Sequence, residues 1–195
     1  MATLEALLEF GGSVQTPKTG WTKSRATLRI VFLGTRGFPS IQGGVERHCE
    51  CLAAALAKRG CQVTVITRRP YVDPALVEWR GVRLVSVPAL RHKALEAFLH
   101  TFLGIFAALR YRPDVLHIQA IGPGLFVPLA RCLGFKVVLT SHGSNYKHLK
   151  WGRGGKTVLR LGEMLGVTFA HRVIAISGQI AQEIRNQNVT ARGFA

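Results

Sequence analysis

Leu28-Arg-Ile-Val-Phe-Leu-Gly34 runs straight into Thr35-Arg-Gly-Phe-Pro-Ser-Ile-Gln-Gly43-Gly-Val-Glu-Arg47, and this stretch decides the fold. Its apolar first half reads as a buried strand, and its glycine-broken second half as a loop that opens a helix at Val45. A strand, a tight loop and a helix start deliver backbone N–H groups to one edge of a sheet. Paired glycines let a ligand approach that backbone closely, and the helix start offers unpaired donors to an anion. The chemistry implied is recognition of a phosphate, or of a polar sugar held beside one.

Strands and helices alternate outward from this point. Apolar positions 45, 49, 52, 53 and 56 follow a helical period that Gly60 stops. Cys61–Thr67, Val82–Val87, Val115–Gln119, Lys136–Ser141 and Arg172–Ile176 read as strands. Helices fit 93–110, 124–133, 156–170 and 178–187, with Ser177 placed to cap the last. Near-continuously apolar strands separated by helices predict an α/β, doubly wound parallel sheet of Rossmann-like type. Ligands of such sheets sit outside the carboxyl ends of the strands, where the strand order reverses. Three loops there are rich in glycine or small polar residues: 34–44, Gln119–Gly124 and Ser141–Asn145.

Size and composition set bounds. The 195 residues, 48% hydrophobic with 21 glycines, suit one globular domain. We expect an N-terminal extension over 1–27, a domain over 28–187 and a tail over 188–195. The four cysteines have no framework spacing, which points to a reduced, cytoplasmic protein. His48-Cys-Glu-Cys51 has the composition of a metal cluster, but on a helix residues 49 and 51 point about 200° apart, so no metal is expected. The most apolar stretch, Ala94–Leu109, is interrupted by Glu96, His100 and Thr101 and falls short of the ~20 residues that span a bilayer. The N-terminus lacks the pattern of a signal peptide. Lys and Arg number 26 against 10 acids, a net charge of +16 that favours anionic partners: nucleic acid, anionic lipid or phosphorylated metabolites.

Individual residues carry two readings each. His142, just after a strand, can donate to a substrate hydroxyl or a developing charge, or else bond the backbone of its own loop. His117 lies inside its strand and is expected to be buried and satisfied. Glu46, in the first helical turn, complements the helix dipole and can also accept sugar hydroxyls. Tyr146–Lys156 interleaves cations with aromatics. Lys147, Lys150, Trp151, Arg153 and Lys156 fit a peripheral anionic-membrane contact, an RNA contact or a solvated loop. A dinucleotide fingerprint is missing: the loop is too long, and the second strand ends in Thr67-Arg-Arg69 without an acid for a ribose. The sequence has no P-loop, and it has neither a Ser-His-Asp order nor paired carboxylates, which argues against acyl transfer and ordinary glycoside hydrolysis.

Taken in order, Gly34-Thr-Arg-Gly-Phe-Pro39, Gly43-Gly-Val-Glu-Arg47, Pro113-Asp-Val-Leu-His-Ile-Gln119, Leu139-Thr-Ser-His-Gly143 and Val173-Ile-Ala-Ile-Ser177 resemble the N-terminal half of family-four retaining GT-B glycosyltransferases. The likeness is strongest to a subgroup with bacterial rhamnosyl- and other polysaccharide-assembly enzymes. It implies two Rossmann-like domains facing a cleft, with sugar transfer from a nucleotide-sugar donor to a glycan or lipid-linked acceptor. Retention of configuration and no cofactor are implied too. It places Gly43 and Gly44 near the donor diphosphate, and Arg36, Gly37 and Glu46 toward the acceptor. His142 would lie beside the reacting sugar, and Gln119, Gly143 and Asn145 are further candidates for binding the donor phosphates or the acceptor. It also implies work at the inner face of the plasma membrane, with nucleic acid not expected as a partner. The family's second domain carries most donor contacts, and residues 188–195 lie where the link to it would begin, so little or no transfer is expected from this chain alone. The second reading is a non-catalytic basic module binding anionic membrane or nucleic acid.

Overall fold

The computed structural model describes residues 27–89, 95–143 and 153–192. In chain order the elements are β1 (Arg29–Leu33), α1 (Gly44–Lys58), β2 (Gln62–Arg68), β3 (Glu78–Trp79), β4 (Val82–Val87), α2 (Leu95–Leu109) and β5 (Val115–Gln119). There follow a 3-10 turn (Pro123–Phe126), α3 (Val127–Cys132), β6 (Val137–Ser141), α4 (Arg153–Phe169), β7 (Arg172–Ala175) and α5 (Gly178–Arg192). The seven strands form one sheet in the order β3-β4-β2-β1-β5-β6-β7. All neighbours are parallel except the edge strand β3, which pairs antiparallel to β4. This is the doubly wound architecture that the alternation predicts. Two-residue β3 was not foreseen, because so short a strand carries no alternation to read.

The sheet is covered on both faces because its strands are apolar on both. On one face Ile30, Phe32, Val63, Val65, Leu84 and Val115 meet Cys49, Leu52, Ala53 and Leu56 of α1. On the other, Val31, Leu33, Ile66, Leu116, Ile118 and Leu139 meet Ile105 and Ala108 of α2 and Val127 and Ala130 of α3. Several of these side chains are fully buried, each stabilising by roughly 1.5–3 kcal/mol. The single helix expected over 124–133 is a 3-10 turn followed by α3, with Pro128 near the start of the latter. A proline has no N–H to give to a helix interior but costs nothing in a first turn. Ser177 does cap α5, its Oγ accepting from Ile180 N at 3.3 Å. That helix continues to Arg192, into the stretch read as a tail.

Sheet order places β1 at the centre, with β2 on one side and β5 on the other. Consecutive connections depart in opposite directions from β1, which leaves a crevice beyond the carboxyl ends of β1, β5 and β6.

Candidate functional site at the carboxyl edge of the sheet

The loop after β1 is tied by an ion pair. Arg36 Nε donates to Glu46 Oε1 at 2.9 Å, and Arg36 Nη2 donates to the Gln42 carbonyl at 2.6 Å. Burial opposes ionisation of Glu46, but the Arg36 guanidinium and backbone N–H donors outweigh it and hold the carboxyl below its usual range. Gly43 is required by this pair: a Cβ there would fall on the Glu46 carboxylate and 2.7 Å from Arg36 Nη2. Gly44, the first residue of α1, has nothing within 4 Å of a Cβ position. The two glycines therefore differ, one making room for the ion pair and the other standing open at the helix start. Gly37 is buried, and a Cβ there would meet Val72 Cγ2 at 2.6 Å and Thr67 at 2.9 Å. Its constraint is packing on β2.

A chain of polar groups crosses β5 and β6. Thr140 Oγ1 lies 2.7 Å from His117 Nε2, Gln119 Nε2 lies 3.0 Å from the same nitrogen, and Gln119 Oε1 lies 2.9 Å from His142 Nε2. An amide nitrogen can only donate, so His117 Nε2 is the acceptor and its proton sits on Nδ1. The Gln119 oxygen can only accept, so His142 carries its proton on Nε2 and leaves Nδ1 as an acceptor. Gln119 thereby sets the tautomer of His142. His117 and Gln119 are fully buried, and His117 Nδ1 has no hydrogen-bond partner among the described residues. The expectation of a satisfied core histidine holds for one ring nitrogen and not for the other.

His48 of α1 meets His142 edge to face, with ring centroids 5.2 Å apart and planes at 81°. Burial, then His48, pushes His142 down to about 4, against the opposing pull of Glu46. Burial and the neighbouring His48 and His142 push His117 down to about 3. Burial also lowers His48. At neutral pH all three rings are uncharged, the state in which an imidazole both donates and accepts.

The structure thus brings together Arg36, Glu46, Gln119 and His142, with Gly44 at the open helix start. Gly143 follows at φ +100°, its Cβ position 3.5 Å from Ile180 of α5. Asn145, Lys147, Lys150 and Trp151 lie outside the described residues, Arg153 begins α4, and Lys156 is half-buried in its first turn. Sequence reasoning missed His48 as part of this site, having read it only with Cys49 and Cys51. Cys49 is buried and Cys51 exposed, on different sides of α1. The available signal was helical spacing, since residues 44 and 48 are one turn apart.

Beside this site, at the carboxyl end of β2, Arg68 is buried and paired with Glu96 of α2 at 3.2 Å, while Tyr71 Oη donates to Glu96 at 3.0 Å. Arg68 is consumed by the fold. A recess of 470 Å³ at the opposite, amino edge is lined by Arg29, Gln62, Glu78, Arg83 and Arg110 and by none of the residues above.

The chain belongs to the glycosyl transferase 4-like domain family, whose model matches residues 43–193. Among solved structures it is similar to sucrose-phosphate synthase from Thermosynechococcus elongatus, at 21% identity and a TM-score of 0.63 over 82% of this chain. The chain spans 45% of that synthase's length, and the likeness is one of fold, a GT-B Rossmann-like half. No curated protein matches the chain.

Proposed function

We propose that residues 28–187 form the acceptor-side domain of a glycosyltransferase, moving a sugar from a nucleotide-sugar donor to a glycan or lipid-linked acceptor. The observation that carries this reading is the neutral His142, its proton held on Nε2 by Gln119, beside the Arg36–Glu46 pair and the open start of α1. A neutral imidazole with a free acceptor nitrogen can take a hydrogen bond from a sugar hydroxyl, and the carboxylate can take a second. Backbone donors at Gly44 suit a diphosphate. The leaving group needs cationic stabilisation that these residues do not supply, so a second Rossmann-like half is required for turnover. The order of motifs favours the bacterial rhamnosyltransferase-like subgroup. Lys147, Lys150, Trp151, Arg153 and Lys156 serve a peripheral contact on the cytoplasmic face of the membrane.

Two measurements test the reading. Titrating sugar phosphates and nucleotide sugars into isotope-labelled chain should shift the His48, Gln119 and His142 signals first, with no transfer product from the chain alone. With a complementary donor half supplied, transfer should appear and fall by roughly a hundredfold or more in His142→Ala. Shifts confined to other parts of the chain, or turnover by the chain alone, would overturn it.

A further inference from the structure

Helix α2 is built with its polar residues inward. Glu96, His100 and Thr101, which interrupt its apolar sequence, are all buried, Glu96 on Arg68 and Tyr71. Phe98, Phe102, Phe106 and Leu109 point outward along one stripe, each 39–44% exposed. The rings are contiguous: Phe102 stacks edge-on against Phe106 with centroids 5.1 Å apart, and Phe98 and Phe102 both meet Phe126 of the 3-10 turn, at 4.5 and 6.0 Å. Helix α4, which packs on the same turn through Gly162 and Gly166, repeats the pattern. Its Val158, Leu161, Met164 and Phe169 are exposed. Single exposed apolar side chains are ordinary, but two neighbouring helices of one layer with apolar outer faces are not.

The charges of that layer are one-sided. Across α2, the 3-10 turn, α3 and α4 the only acids are Glu96 and Glu163, and both are buried. The remaining charges are Arg131, Arg153, Lys156 and Arg160, and α2 is followed by the exposed Arg110 and Arg112.

We propose that this helical layer is a membrane-docking surface that lies flat on an anionic lipid bilayer, with the phenylalanine stripe of α2 and the apolar face of α4 in the acyl boundary. No described helix is long and apolar enough to cross a membrane, so the contact is interfacial. Charge selects the occupant. A second copy would set like cations against each other, with no exposed acid from these helices to pair them. A bilayer with acidic headgroups answers both the apolar stripe and the cations at its margin. The proposal does not rest on the sugar-transfer reading, and its apolar stripe is made by helix residues outside the basic segment 147–156, of which it shares only Arg153 and Lys156.

Cosedimentation of the full chain with vesicles of phosphatidylcholine alone and of phosphatidylcholine with phosphatidylglycerol tests it. The chain should bind the anionic vesicles and bind the neutral ones far more weakly. The double variant Phe102→Ser/Phe106→Ser should lose about tenfold or more in partition while still melting cooperatively. Should that variant fail to fold, Phe106→Trp in a background with Trp21, Trp79 and Trp151 each replaced by Phe gives a second readout: lipids brominated in the acyl chains should quench the new indole. No vesicle binding, unchanged binding by the double variant, or an indole that bromolipids leave unquenched would each overturn the proposal. So would a dimer in solution that the double variant dissolves in the absence of lipid, since the stripe would then face a second copy.

Discussion

Gly43 and Gly44 are adjacent and chemically identical, yet the fold asks different things of them. At Gly43 a methyl group would be driven into the Glu46 carboxylate and the Arg36 guanidinium, at a backbone φ of +154°. Gly43→Ala should cost about 1–3 kcal/mol by overpacking and strain, read as a fall in melting temperature. At Gly44 the same methyl group meets nothing. Gly44→Ala should leave the melting temperature unchanged or raise it, as alanine does in an open helix position, so any ligand affinity it loses reports on the ligand and not on the fold. From sequence the pair was legible as a unit that brings backbone to a ligand. The division of labour was not, because it depends on where a side chain three residues later folds back. The same holds for Gln119, whose role follows from facing two histidines on neighbouring strands, a register the sequence does not print.

At the scale of elements, α4 owes its position to close backbone approach. A Cβ at Gly162 would stand 2.6 Å from the Ile121 carbonyl oxygen, and one at Gly166 would stand 2.8 Å from Leu139 Cδ2 and 3.1 Å from Gly124 Cα. Glycine inside a helix costs about 1 kcal/mol relative to alanine, which would make Gly→Ala favourable in an open position. At Gly154, near the start of the same helix and with nothing within 4 Å, that gain should appear. At Gly162 the obstacle is backbone, which cannot swing aside, and overpacking of about 1–3 kcal/mol should exceed the gain. Thermal melts of Gly162→Ala and Gly154→Ala should therefore move in opposite directions. Helix α4 is legible as an element from its period, and its observed start lies three residues earlier than the period indicates because Gly154 and Gly155 are poor helix signals. The outer faces of α2 and α4 were not legible at all. An apolar run looks the same in sequence whichever side of the helix meets the sheet.

For the whole molecule, the buried neutral histidines tie stability to acidity. His100 is pushed to about 4 by burial and by the nearby Arg68, and His142 lies equally low, with His117 near 3. Unfolded, each would titrate near 6.5. Between pH 6.5 and 4 the unfolded chain therefore takes up protons that the folded chain refuses, and stability falls as pH falls. Each pH unit in that window costs on the order of 1 kcal/mol per histidine, with no such loss above pH 7. Denaturant midpoints measured from pH 7.5 to 4.5 should decline steeply below about pH 6.5, and His100→Leu should flatten the decline. A chain whose stability is level across that range would contradict the neutral network. The doubly wound sheet, with the loop after β1 at its carboxyl edge, is legible because apolar runs and glycines record it directly. The network inside the edge was not, because it is made by side chains that neighbouring strands bring together.

The central place of β1 has a further consequence, for synthesis. One edge of β1 is satisfied by β2, which follows it closely in the chain, while the other waits for β5, with residues such as Leu33 pairing to Ile118. Until Val115–Gln119 has left the ribosome, the innermost strand of the sheet carries an unpaired, apolar edge that any other nascent strand can join. His142 follows later still, on the far side of β5. The crevice is thus assembled late, in one event that joins the two halves of the sheet, and a chain stalled before β5 would hold the glycine loop with no chemistry opposite it.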